Sequence, residues 1–171
     1  AVHFVHVKGQ HLVLNISPDS VMIRTDVDGI PRPTLLDLGV VADPNALDPS
    51  SLIPFIPPSY VAPELLEGAA GGPFGAQTDV YGLGLLIYEM LAGQPAYPFK
   101  LRDPEDIRAS VRRDMPPPMN RTDLAGDIAI IINQSIDKAP ARRLTDVRAF
   151  AKELRSRFGE VPAERPKRRF P

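Results

Sequence analysis

The chain has 171 residues, 43% hydrophobic and 24% charged, which places it among folded globular domains with one sizeable core. A net charge of -1 offers no field to recruit nucleic acid. The lack of cysteine excludes a disulfide framework and a thiolate metal site, and it fits a reducing compartment.

AVHFVHVKG (Ala1 to Gly9) reads as the last turns of a helix, with Gly9 suited to end it at positive φ. No charged leader or cleavage site precedes it, so the start reads as the middle of a longer protein. Two β-like runs follow, VMIRT and TLLDL, joined through Asp26-Val27-Asp28-Gly29. Asp-Gly is a turn signal, and one short hairpin is expected over Val21 to Leu38. Residues 40–58 carry five prolines and no helical period, which predicts a long irregular loop of the kind that is usually functional or disordered.

From Tyr60 the pattern turns helical. A short segment covers Ala62 to Glu67, and a strong helix opens at Thr78 as N-cap, with Asp79 at the positive end of its dipole. It runs to Ala92 and stops at Gly93. Val80, Leu83, Gly84, Ile87, Met90 and Leu91 form one face, while Leu85, Leu86 and Tyr88 cover others. A helix apolar nearly all round belongs in the middle of a core. Its apolar run, Val80 to Ala92, contains Glu89 and falls short of the roughly 20 residues that cross a bilayer.

Asp103-Pro104 starts the next helix, which fades near Asp114. A third spans about Asp123 to Ile136 and a fourth about Thr145 to Phe158. Val147, Phe150, Ala151, Leu154 and Phe158 mark the last one's buried stripe, and Gly159 ends it. The tail VPAERPKRRFP has no apolar period and reads as linker. The expected fold class is mainly α with a short β-hairpin.

Five stretches resemble protein kinases, in the family's order. LNISPDSVMI (Leu14 to Ile23) is similar to the catalytic loop HRDLKPENILI, and LLDLG (Leu35 to Gly39) to the metal-binding turn that follows it. SYVAPELLEG (Ser59 to Gly68) resembles the segment that closes the activation loop. TDVYGLGLLIYEMLAGQPAY (Thr78 to Tyr97) resembles the central buried helix, and DKAPARRLTDVRAF (Asp137 to Phe150) the segment opening the last helix. Five motifs in order are far more specific than any one of them. The resemblance implies an α+β kinase fold of bacterial serine/threonine type, represented by its C-terminal lobe alone. Residues 1–158 form that lobe on this reading, without the smaller lobe's glycine-rich loop and strand lysine. Residues 159–171 form a basic, proline-containing linker or juxtamembrane tail.

The resemblance also implies what the site has lost. In the family a catalytic-loop Asp accepts the substrate proton, while a loop Asn and the following Asp hold magnesium on the nucleotide phosphates. Asn15 stands in the catalytic position, Ser17 replaces the loop Lys and Ser20 replaces the metal-binding Asn. A neutral amide is no useful proton acceptor at pH 7. Leu14 removes the Arg that receives an activation-loop phosphate, and Pro57 stands in place of a Thr. No catalytic residue is expected to be intact. Asp37 remains as the candidate magnesium ligand, and Asp37 with Ser20 as the candidate cofactor-binding pair. ATP and magnesium would need the missing N-terminal lobe. Between Gly9 and Asn15 the chain has one residue more than the family spacing; the register adopted preserves Pro18 and the strand rather than matching His11 to the family His. As structural anchors the resemblance implies a buried pair of Glu64 with Arg143, and Asp79 accepting from the catalytic-loop backbone.

Other patterns have plainer readings. His3, His6 and His11 suggest a metal cluster, but only the first two share helical turns, and packing or solvent contact is favoured. Ser50, Ser51 and Ser59 are phosphorylation candidates; without the loop Arg, ordinary loop serines are favoured. Arg165, Lys167, Arg168 and Arg169 fit an anionic membrane surface or a solvated linker equally. The expected function is a pseudokinase lobe that docks or regulates, with a protein or an upstream N-terminal lobe as partner and no nucleic acid. Its expected location is cytoplasmic, or the cytoplasmic part of a membrane-anchored protein. The alternative is a fragment of an active or weakly active ATP-dependent serine/threonine kinase. A helical interaction domain unrelated to kinases would make five ordered motifs a coincidence.

Overall fold

The computed structural model describes residues 1–36, 49–67, 74–97, 103–119 and 126–158. Helices dominate it, and one two-stranded antiparallel ribbon stands beside them. The opening helix α1 (Val2–Phe4) widens at once into a π turn, Val5–Gly9. Gln10, not Gly9, takes the left-handed conformation, at φ 56°, and its N–H bonds back to the Val5 carbonyl. An i→i+5 turn closes one residue later than an α turn.

Strand β1 (Val21–Thr25) pairs with β2 (Pro31–Leu35), Val21 opposite Leu35 and Thr25 opposite Pro31. β2 therefore starts ahead of the expected TLLDL run. Prolines argue against a central strand, but a two-stranded ribbon has only edges, where a missing N–H is tolerated. The turn is tied by Asp26, whose Oδ1 accepts from the backbone N–H of Asp28 at 3.0 Å and of Ile30 at 2.8 Å, with Gly29 at φ 78°. The Ile30 bond, more than any other, holds the Asp26 carboxyl below its usual range.

Asp37 and much of the expected loop lie outside the described residues. The rest of that loop is not wholly irregular, since 3-10 turns cover Pro49–Phe55 and Pro58–Tyr60. A single turn, α2 (Pro63–Leu66), leads to α3 (Ala76–Ala92), which opens two residues before the expected Thr78. Gly75 is its N-cap, and the Thr78 hydroxyl accepts the Gly75 N–H at 3.2 Å from inside the first turn. Gly93 ends the helix at φ 70°.

Helix α3 is shared by two core clusters. Tyr81, Leu85 and Tyr88 pack with Leu65, Val111 and Ile132, whereas Val80 packs with Val13, Ile16 and Phe150. Met90, expected on the buried face, is 64% exposed. Helix α4 (Pro104–Arg113) is capped by Asp103, whose carboxylate accepts the Glu105 N–H at 2.9 Å. Helices α5 (Gly126–Ser135) and α6 (Val147–Phe158) pack on α3 and on each other. Helix α6 opens later than expected, and the expected start of α5 at Asp123 lies outside the described residues. Phe158 is 54% exposed, so the buried stripe of α6 ends before it. The site is thus carried on loops that a central helix grips from below.

Candidate functional site

The loop from Leu12 to Ser20 is gripped by one buried carboxylate. Asp79 sits in the first turn of α3 with no exposed surface, and its two oxygens accept the backbone N–H of Val13 at 2.8 Å and of Leu14 at 2.7 Å. His6 Nε2 stands 2.6 Å from the same carboxylate. Leu14 adopts φ 58°, uncommon for a non-glycine residue, and Asp79 holds its own amide and that of the residue before it. The grip thus joins the π turn, the loop and α3.

From Asn15 to Ser20 the one charged side chain is Asp19, which is exposed. Asn15 is 9% exposed, and its side-chain Oδ1 is buried without a hydrogen-bond partner. The Ser17 hydroxyl is likewise buried and unpartnered. The Ser20 hydroxyl is fully engaged: it accepts the Ser17 N–H at 3.0 Å and donates to the Ser17 carbonyl at 2.9 Å. This closes the short 3-10 turn Pro18–Ser20 on itself. Asn15, Ser17 and Ser20 are therefore brought together on one short loop, while Asp37 lies outside the described residues.

A second grip fastens α2 to the segment before α6. Arg143 donates to Glu64 through both terminal nitrogens, at 2.7 and 2.8 Å, with both side chains almost wholly buried. Its remaining donors reach the carbonyls of Asp137, Gln77 and Lys138. The guanidinium also lies 4.6 Å from the centre of the Tyr81 ring. Bidentate geometry with every donor used is the arrangement in which a buried ion pair offsets its desolvation.

Three polar contacts had no signal in the sequence. Lys138 donates to the Val111 carbonyl at 2.5 Å and to the Tyr97 hydroxyl. Burial pulls its ammonium down to about 8, while burial pushes the Tyr97 phenol up to about 12. Tyr60 donates to Glu89, whose carboxyl is raised by burial and by the charge of Asp19. The third is His6 on Asp79. Each joins residues far apart in sequence, where no periodicity or spacing connects them.

His3, His6 and His11 do not converge: His6 is spent on Asp79, and His11 Nδ1 lies against the Gly9 carbonyl. Among the described residues no group of three His, Cys, Asp or Glu is placed to hold a metal. Ser59 is buried and donates to the Tyr97 carbonyl at 3.0 Å. It is not presented to solvent. No described helix is long and apolar enough to cross a membrane.

Residues 1–156 match the protein kinase domain family. The chain belongs to that family. Serine/threonine-protein kinase PknK of Mycobacterium bovis is 28% identical over 144 residues, 82% of this chain and 12% of that protein. The probable cell cycle serine/threonine-protein kinase CDC5 homolog of Encephalitozoon cuniculi is 33% identical over 88 residues, 52% of this chain and 18% of its own length. Serine/threonine-protein kinase atg1 of Botryotinia fuckeliana is 26% identical over 170 residues, 96% of this chain and 17% of its own. The chain therefore spans less than a fifth of each of these relatives.

Family membership implies a magnesium nucleotide, and Asn15, Ser17 and Ser20 by themselves do not fit the ion. Magnesium takes near-octahedral hard oxygen ligands, commonly one or two carboxylates. Those three residues offer one amide oxygen, one unpartnered hydroxyl and one hydroxyl already committed to its own turn, and the loop's one carboxylate, Asp19, is exposed. The scaffold around the loop is densely bonded, whereas Asn15, Ser17 and Ser20 carry no charge.

Proposed function

We propose that the chain is the C-terminal lobe of a pseudokinase and works without phosphoryl transfer, as a docking or regulatory module. One observation carries this reading. Asn15 sits at the catalytic position with a neutral amide, buried and unpartnered, so that position offers no carboxylate to accept a substrate proton. Ser17 adds no positive charge for a transferring phosphoryl group, and electrostatic stabilisation is most of what phosphoryl transfer requires. Residues 1–158 make up the lobe on this reading, an N-terminal lobe or another protein is its partner, and residues 159–171 are a basic linker or juxtamembrane tail. The intact grips of Asp79 and of Glu64 with Arg143 support a surface kept in shape for binding.

The test is a radiolabelled-phosphate assay on the natural protein, beside a variant carrying Asn15→Asp, Ser17→Lys and Ser20→Asn. No transfer above background is expected from the natural sequence. Magnesium-dependent transfer abolished by Asp37→Ala would overturn the proposal in favour of an active or weakly active serine/threonine kinase.

A further inference from the structure

Helix α4 ends at Arg113, and the chain runs on as Asp114-Met115-Pro116-Pro117-Pro118-Met119 with no helix or strand. Its conformation follows from its residues. A proline fixes its own φ at about −65° and pushes the residue before it to extended backbone. Met115, Pro116 and Pro117 all precede prolines, and Asp114 enters at φ −89° and ψ 143°. Together these give the polyproline II helix, which repeats about every third residue. Burial follows that period. Pro116 and Met119 are half-buried, and Met119 packs against the core, whereas Asp114, Met115, Pro117 and Pro118 are exposed. Two of the carbonyls, also one repeat apart, are bonded from below by buried tyrosines: Tyr88 donates to Pro117 at 2.5 Å and Tyr97 to Asp114 at 3.5 Å. One edge of this triangular helix therefore lies on the protein and two stand clear of it. Met115, 69% exposed, shares an outer edge with Pro118.

We propose that this ridge docks a proline-recognising protein domain whose groove is lined by aromatic side chains. Such grooves take a polyproline II helix because it offers apolar edges in a conformation already formed. Here the restraint is twofold, covalent in the prolines and tertiary in the bonds from Tyr88 and Tyr97. The ordering that a free peptide undergoes on binding is thus already complete, which favours affinity. Pro116, Pro117 and Pro118 have no N–H to donate, so the ridge cannot join a sheet as a regular strand, and apolar groove contact is the mode left to it. Arg113 stands exposed at the head of the ridge, donates to the Ala109 carbonyl at 3.3 Å and has no carboxylate partner among the described residues. It offers the partner a charge to pair with beside the groove. The proposal rests on the docking half of the pseudokinase reading and not on the loss of phosphoryl transfer.

Isolated SH3, WW and EVH1 domains, each carrying a dye remote from its groove, are titrated with the full-length natural protein, and fluorescence anisotropy reads binding. At least one class is expected to bind saturably and to be displaced by a free oligoproline peptide. Met115→Glu with Pro118→Glu should weaken that binding about tenfold or more, because charge enters the edge that fills the groove. Val27→Glu, in the hairpin turn at 104% exposed, should leave it unchanged. Urea unfolding of the double variant checks that it still folds. Pro118→Ala, expected to weaken binding several-fold, tests the same edge without a new charge. No saturable binding by any of the three classes overturns the proposal. So does binding that oligoproline fails to displace, or that the Met115 and Pro118 variants leave intact. Failure of the titration leaves the pseudokinase reading standing, whereas phosphoryl transfer by the natural protein sinks that reading alone.

Discussion

Glu64 and Arg143 show how much one buried pair depends on both members. Each side chain is almost fully removed from solvent, and Arg143 places every donor on Glu64 or on a backbone carbonyl. Glu64→Gln leaves the guanidinium buried beside a neutral amide. Removing one partner of a buried pair commonly costs about 3–5 kcal/mol. Urea unfolding of the variant should show a loss of that order, and a loss below about 1 kcal/mol would mean the pair is no more than a surface-grade contact. At Asn15 the same logic runs the other way. Asn15 is buried with an unpartnered acceptor, a cost that a functional site tolerates and a core does not. The triple restoration of Asn15→Asp, Ser17→Lys and Ser20→Asn tests it. Any gain in transfer should appear only jointly, because residues of one catalytic unit act together.

Helix α3 is held against α5 by two small residues. A Cβ built on Gly84 would lie 2.1 Å from Ser135 Oγ and 2.8 Å from Ile136 Cγ2. Gly84→Ala gains about 1 kcal/mol of helix propensity. The overpacking it forces typically costs about 1–3 kcal/mol, so the net effect should be destabilising. Adding Ser135→Ala removes the closest atom but not the isoleucine methyl, so a double-mutant cycle should read a partial rescue. A stabilised single variant would show that the α3–α5 contact is looser than its geometry. The helices themselves were legible from period and caps, to within two or three residues at their ends. The ribbon was legible from its Asp-Gly turn, but its second strand was displaced, because Pro31 and Pro33 read as breakers until the strand is known to have only edges.

For the molecule as a whole, the buried titrating groups set an alkaline stability window. Burial lowers Lys138 from 10.5 to about 8. Between those values the unfolded chain keeps a proton that the folded chain has released, so stability rises with pH there. Below about 8 both forms are charged, and the burial penalty is fully present. Tyr97 is raised from 10.0 to about 12, and above 10.0 the unfolded chain loses its proton first, so stability falls again. Lys138→Met removes the rising limb. Its stability relative to the natural sequence should therefore decline from pH 7 to pH 9.5, measured by urea titration at constant ionic strength. A pH-independent difference would show that Lys138 titrates near its ordinary value.

The sequence by itself determined the family, the helical architecture and the identities of Asn15, Ser17 and Ser20, because composition, local period and ordered motifs are written along the chain. It also determined that Asn15 carries a neutral amide, since side-chain identity needs no fold. Only the tertiary structure decided what those side chains do. Ser20 could be a ligand or a turn closer, and its two bonds to Ser17 make it the latter. His6 and Asp79 stand 73 positions apart, and no local rule joins them until α3 passes beneath the loop. The proline ridge after α4 likewise reads as a bare linker until the half-burial of Pro116 and Met119 shows which of its edges face outward. Propensity acts between near neighbours; burial and pairing act between whichever residues the fold brings within a few ångströms.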